Sequence, residues 1–298
     1  MGSVQRVLVG IDFSEGADLG VLRALRIAHQ HGAKLHAVHV VETLPIEGIL
    51  NPALGHREEI ENALAARLKK IVDESGLSFP AANLSSELRI GRPVEEMLGA
   101  AEDFDADVTV VGYRGKGLLA RTLLGSVAAA LVRQSTRPLM VARDWGDDAP
   151  KRVLAAVDLD ADSKDVLQTA ANWAKRANAE LHVLYAWEIA GLADYHTAMP
   201  NIPARDLDME VMDDSRKRLE SIVNEALGEG HGASLHVRPG TAAYEVVFAA
   251  ERDKHSLVVI GSHGRRGFSK FLLGNTAERV IERAPCSVLV LRVGQTEA

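Results

Sequence analysis

One cysteine, Cys286, in a chain of 298 residues leaves no internal disulfide framework to hold the fold together. Aromatic residues make up 4% of the chain against 47% hydrophobic residues in all. The core must therefore be aliphatic, a composition that suits buried parallel strands. No apolar run approaches the ~20 residues that span a bilayer. The stretch from Val4 to Ile11 is broken by Gln5 and Arg6 and leads into Asp12, which is not the pattern of a secretory signal. Basic excess is missing too. Residues 1–146 carry 16 Lys and Arg against 18 Asp and Glu, and the remainder 18 against 23. Neither half has the electrostatic footprint of a nucleic-acid binder. There is no Gly-x-Ser-x-Gly elbow, no paired metal signature and no Gly-Lys-[Ser/Thr] phosphate loop. These absences predict a cytoplasmic protein that enters no membrane, binds no nucleic acid and is not an enzyme beyond, at most, slow nucleotide hydrolysis.

Two glycine strings of identical spacing are present. Gly112-Tyr113-Arg114-Gly115 is followed after nine residues by Gly125-Ser126, and Gly261-Ser262-His263-Gly264 after nine residues by Gly274-Asn275. Each follows a short apolar run, Val108–Val111 or Leu257–Ile260, and each precedes a helix-like stretch. Glycines at the end of a buried strand let backbone N–H groups approach a phosphate without a Cβ in the way. The helix that follows turns its positive end to the same place.

The strings belong to a whole-chain duplication. Val7–Asp12 matches Val153–Asp158, and Ala33–His36 matches Ala179–His182, both at an offset of 146; from the glycine strings onward the offset is 149. Residues 144–150 between the copies are polar and punctuated by Gly146 and Pro150. Two domains are expected, 1–146 and 147–298. In the first copy, strands are expected at Val7–Ile11, Leu35–Val41, Ser86–Ile90, Val108–Val111 and Leu139–Ala142. Helices are expected near 15–31, 57–75, 93–104 and 126–134, the first capped by Ser14 and the third opened by Pro93. Strand-helix alternation means a parallel sheet with helices on both faces, here two tandem open five-stranded α/β units.

Sites in such sheets lie beyond the carboxyl ends of the strands, where strand order reverses. Asp12 ends the first strand and Gly112 the fourth, the two ends that a mononucleotide would bridge. An acidic residue there suits ribose hydroxyls or the adenine edge. Ser126 is placed to cap its helix and to donate its hydroxyl to a phosphate oxygen. Asp12 and Asp158 also sit just before helices, where a carboxylate opposes the dipole. Arg114, Lys116, Arg265 and Arg266 could neutralise phosphate, although a solvated basic loop is the simpler reading of each. His36 and His39, three apart on a strand, point to opposite faces and make no two-ligand metal site. His36 and His182 recur at one repeat position, which marks a structural niche. Cys286 precedes a buried strand and reads as an inert core thiol.

These residues resemble the universal stress protein family, over essentially the whole chain and twice. Nucleotide-binding members of that family carry G-x2-G-x9-G-[S/T] after the fourth strand and an Asp at the end of the first. The resemblance implies that Asp12 and Val40 lie near adenine and ribose, with Gly112, Gly115, Gly125, Ser126 and Val127 near the phosphates. In the second copy it implies Asp158, Ala186, Gly261, Gly264, Gly274, Asn275 and Thr276. Asn275 departs from the pattern because it lacks the hydroxyl, although it can still cap its helix and donate from its amide, and Trp187 could crowd the adenine space or stack on it. The first copy is therefore expected to be the better ATP site, with Mg²⁺ offsetting triphosphate charge. Against this, Gly261-Ser262-His263-Gly264 is nearer the family's common form than Gly112-Tyr113-Arg114-Gly115. The resemblance also implies pairing through the last strands, Leu139–Ala142 with Val288–Leu291, as an intramolecular pseudo-dimer, with further homodimerisation open. The role expected is a regulatory, stress-responsive one. The alternative is a nucleotide-independent scaffold in which segments 43–56 and 189–205, with Tyr195, Met199, Ile202 and Pro203, meet a protein partner or an apolar ligand.

Overall fold

The structure, a computed structural model, describes residues 4–42, 56–113, 124–143, 151–160, 162–187, 204–262 and 273–292, the side chains of 204–210 apart. The chain divides into two compact units, Met1–Asp144 and Trp145–Ala298.

The first unit runs β1 (Arg6–Gly10), α1 (Glu15–His31), β2 (Lys34–Glu42), α2 (Arg57–Ser75), β3 (Leu84–Gly91), α3 (Pro93–Asp103), β4 (Val108–Gly112), α4 (Ser126–Gln134) and β5 (Leu139–Ala142). The strands are parallel, in the order β3-β2-β1-β4-β5. Val7 pairs with Leu35 on one side and Val108 on the other. The central strands are almost wholly apolar because both faces are covered: Val7, Leu8, Val9, Val108 and Val110 are fully buried. α1 packs on α2, and α3 on α4. With right-handed crossovers, the reversal of direction at β1 and β4 puts these pairs on opposite faces.

Local chemistry sets the helix limits. Ser14, in extended conformation, accepts from Ala17 N at 3.1 Å and caps α1, which ends at Gly32 in the left-handed region, φ 65°. Its buried residues Ala17, Val21, Ala24, Leu25 and Ala28 recur at helical spacing on one side. Pro93 opens α3 in the first turn, where its missing N–H costs no helical bond.

The second unit repeats the plan with β6 (Arg152–Ala156), α5 (Ser163–Ala177), β7 (Glu180–Trp187), α6 (Ala204–Leu227), β8 (Ser234–Pro239), α7 (Ala242–Arg252), β9 (Leu257–Gly261), α8 (Asn275–Arg283) and β10 (Ser287–Leu291). Its strands are also parallel, in the order β10-β9-β6-β7-β8. Two tandem open five-stranded parallel α/β units were the expectation, and that is what the chain forms. Cys286 is 2% exposed, in the core as its position suggested. No helix among the described residues is long and apolar enough to cross a membrane.

Candidate functional site

Strand order in the first unit reverses between β1 and β4, so their carboxyl ends are where a ligand crevice forms. Ile11 N donates to Val38 O at 2.9 Å, carrying the β1–β2 pairing one residue past Gly10 and fixing Asp12 at the strand end. Asp12 Oδ1 then accepts from Ser14 N at 3.0 Å, a two-residue side-chain turn that leads straight into the Ser14 cap. Between them Phe13 takes φ 61°, in the left-handed region. His39 holds it there. His39 is buried, its Nδ1 donates to Ile11 O at 2.7 Å, and its ring meets Phe13 edge-on at 4.7 Å. Val40, half-buried, is the next residue along β2.

The β4 side is built by two backbone bonds. Tyr113 N donates to Ala142 O at 3.0 Å, and Gly125 N donates to Tyr113 O at 3.0 Å. The second bond returns the far end of the glycine string to its start and sets the first turn of α4 beside the end of β4. The second unit repeats both, with Ser262 N to Leu291 O at 2.7 Å and Gly274 N to Ser262 O at 2.8 Å.

One expectation is corrected here: neither Ser126 nor Asn275 caps its helix. The capping positions are Gly125 and Gly274, whose extended backbone lets their carbonyls accept the first helical bonds, from Ala129 N at 2.8 Å and Glu278 N at 3.0 Å. Ser126 and Asn275 stand one residue inside, with exposed side chains. Glycine has no side chain to satisfy the first N–H groups, so both helices start without a side-chain cap. The two starts differ in charge. The first turn of α4 holds no acid, whereas that of α8 holds Glu278.

Gly112 has a packing role that does not involve a ligand. A Cβ there would lie 2.2 Å from Gly16 O and 2.6 Å from Gly16 C, so the first turn of α1 presses directly on the end of β4. Gly20, whose Cβ would meet Gly112 N at 3.1 Å, allows the same approach.

In the second unit, Val157 N donates to Leu184 O at 3.1 Å, the counterpart of Ile11, and Asp158 follows. At the start of α5, whose N-cap position is Asp162, Asp160 Oδ1 accepts from Ser163 N at 3.2 Å and from Ser163 Oγ at 3.0 Å. Ser163 aligns with Ala17, so α5 starts two positions later than α1. Leu159, buried, stands where the first unit has Phe13. Trp187 closes β7 with its indole Nε1 buried and without a hydrogen-bond partner.

The structure thus brings Asp12 and Val40 to the ends of β1 and β2, and Gly112, Gly125, Ser126 and Val127 to the β4–α4 connection. Asp158, Ala186, Gly261, Gly274, Asn275 and Thr276 lie at the matching points of the second unit. Gly115, Gly264, Arg114, Lys116, Arg265 and Arg266 fall outside the described residues, as do segments 43–55 and 188–203. Sequence reasoning missed Phe13 and His39. It also missed the Arg143 guanidinium lying 3.3 Å over the Tyr113 ring, directly at the glycine string. The recurrence of Arg143 as Arg292 at the end of both copies was the available signal.

A model described as the universal stress protein family matches residues 3–143 and again 150–292. The chain belongs to the universal stress protein family. This universal stress protein is 27% identical over 297 residues to one from Mycolicibacterium smegmatis, covering 96% of each chain. Its fold is similar to that of a universal stress protein from Archaeoglobus fulgidus, at a TM-score of 0.65 and 22% identity over 99% of this chain and 100% of that one. It is also similar to a putative universal stress protein from Pseudomonas aeruginosa, at 0.67 and 22%, covering 98% and 94%.

Proposed function

We propose that this universal stress protein binds an adenine nucleotide, ATP with Mg²⁺, and that the first unit is the better site. The carrying observation is the hydrogen bond from Gly125 N to Tyr113 O. It sets the uncapped, acid-free first turn of α4 at the end of β4, next to the β1 end that carries Asp12. Unpaired N–H groups and the positive helix end offer a place for phosphate. Asp12 offers acceptors for ribose hydroxyls, and the half-buried Val40 an apolar surface for the base. The α8 start of the second unit puts Glu278 in the same first turn, where its charge opposes a phosphate.

Among the described residues no group of three or more His, Cys, Asp or Glu is arranged to hold a metal ion. Mg²⁺ would therefore arrive with the triphosphate and be held chiefly by its oxygens and water, as is usual for this ion. The role is regulatory: occupancy of the β1–β4 end alters the protein's conformation or its choice of partner. Calorimetric titration of the full chain with ATP and Mg²⁺ tests the proposal. Binding at micromolar to millimolar nucleotide is expected, lost in Gly125→Val, where a side chain would stand in phosphate space. No heat at millimolar ATP refutes it.

A further inference from the structure

The second unit carries three imidazoles together, on its face opposite α5 and toward the amino ends of its strands. His182 lies in β7, His236 in β8, and His255 in the turn between α7 and β9. The His182 ring centroid is 5.3 Å from that of His236 and 4.8 Å from that of His255. His182 Nδ1, His236 Nε2 and His255 Nε2 are all buried with no hydrogen-bond partner. His255 is only 4% exposed, and its Nδ1 donates to Ala249 O at 3.0 Å, so its Nε2 carries a lone pair. His182 Nε2 lies 3.4 Å from Glu180 Oε2.

The first unit shows the same niche filled differently. His36 occupies the place of His182, while Glu87 and Ala106 stand where the second unit has His236 and His255. His36 Nδ1 lies 2.8 Å from Ser85 Oγ and its Nε2 3.4 Å from Glu87, and its ring stacks on Phe104 at 4.9 Å. One copy gives a half-buried imidazole a hydroxyl and a carboxylate; the other gives it two more imidazoles.

The carboxylates around the second niche are already engaged. Glu180 on β7 pairs with Arg152 of β6 at 2.8 Å, whose hydrogen bond holds its carboxyl below the usual range. Asp253 pairs with Arg252 of α7 at 2.6 Å and is lowered likewise. Glu245 of α7 faces Arg238 of β8 at 3.8 Å, and Lys254 precedes His255 in the turn. No group of these side chains is arranged to hold a metal ion. What remains for buried, unpartnered nitrogen lone pairs is the proton.

We propose that the His182–His236–His255 cluster is an acid-operated latch in the second unit: the three packed rings hold α7 against β7 and β8, and proton uptake by His236 and His255 releases that edge while the first unit stays closed. The sign follows from burial. Burial, followed by the field of His182, pushes His255 down to about 4, and burial also lowers His236. An exposed histidine in the opened chain takes up its proton near ~6.5. Stability of this edge is therefore complete above ~6.5, falls as pH drops toward about 4, and levels off below.

Hydrogen exchange of the full chain, read by mass spectrometry at pH 7.5 and 5.0 and normalised for intrinsic rates, tests the latch. From His255 alone, peptides across β8 and α7 should open roughly 30-fold more at pH 5.0, and first-unit peptides across β3 and α3 less than about threefold. His255→Gln keeps a donor for Ala249 O and should bring the response below about threefold; His236→Glu restores the carboxylate found in the first unit, leaves His255 in place and should lower the response only in part. Equal protection at both pH values in the wild type overturns the proposal. So does a pH response unchanged in both variants. Protection of this edge by one equivalent of Zn²⁺ at pH 7.5 also overturns it, because the lone pairs would then form a metal site.

Discussion

Replacing Gly112 by alanine asks whether that glycine is there for the fold or for a phosphate. The new methyl would lie 2.2 Å from Gly16 O, 2.6 Å from Gly16 C and 3.1 Å from Ala17 N. Comfortable contact needs roughly 3.5 Å, so backbone has to move by about 1 Å. The obstacle is the first turn of α1, which has little freedom: Ser14 Oγ holds Ala17 N, Asp12 holds Ser14 N, and Phe13 is fixed on His39 at φ 61°. Overpacking a core costs about 1–3 kcal/mol, and a clash with backbone belongs at the top of that range. Losing the Ser14 cap would add about 1 kcal/mol. We expect Gly112→Ala to destabilise the first unit by about 3–4 kcal/mol. Because the chain has two units, the measurement is hydrogen exchange of β1 and α1 peptides under native conditions rather than one global transition. Gly32→Ala is the control: its Cβ meets nothing within 4 Å, so its cost of about 1 kcal/mol comes only from the φ of 65°. A Gly112→Ala protein within about 1 kcal/mol of wild type refutes the packing argument. If that stable protein also failed to bind nucleotide, Gly112 would belong to the ligand instead.

Ser14→Ala removes the acceptor for Ala17 N and should cost about 1 kcal/mol, read as increased exchange confined to the first turn of α1. Asn275→Ser, made in a Gly125→Val background so that only the second unit can respond, should strengthen ATP binding by several-fold in calorimetry. An unchanged titration would assign the weakness of that unit to Glu278 or Trp187 rather than to the missing hydroxyl.

The sheet was legible because strand and helix periodicities repeat twice and the two readings check each other. Gly112 was legible as a position that a close backbone approach closes to any side chain, but what approaches it is the first turn of α1, which the spacing of the string did not reveal. The caps were misread for a local reason. Ser and Asn are favoured capping residues, but each follows a glycine whose extended backbone takes that position first. Phe13 was not legible, because a left-handed aromatic depends on an anchor, His39, contributed by another strand. The histidine cluster was half legible. The recurrence of His36 as His182 did mark a niche, but His236 and His255 join it only once β8 and the α7–β9 turn have come together.

The divergence of the copies begins at how closely a helix can approach the sheet. Gly20 and Gly112 let α1 lie against the end of β4, with the backbone of Gly16 at the contact. In the second copy, Asp162 and Val166 take the places of Gly16 and Gly20, and Val166 is 3% exposed, already committed to the core. There α5 starts two positions later than α1. Two helix starts therefore converge on the carboxyl edge of the first sheet. One, α1, has the Ala17 N–H engaged by Ser14; the other, α4, opens without a side-chain cap. An anion arriving there has the second to bind and the first to reinforce its field, whereas in the second unit it would meet Glu278 in the first turn of α8. The order of affinities proposed for the two units thus rests on the acid-free start of α4 set against Glu278 in α8, with the close approach of α1 to β4 beside it.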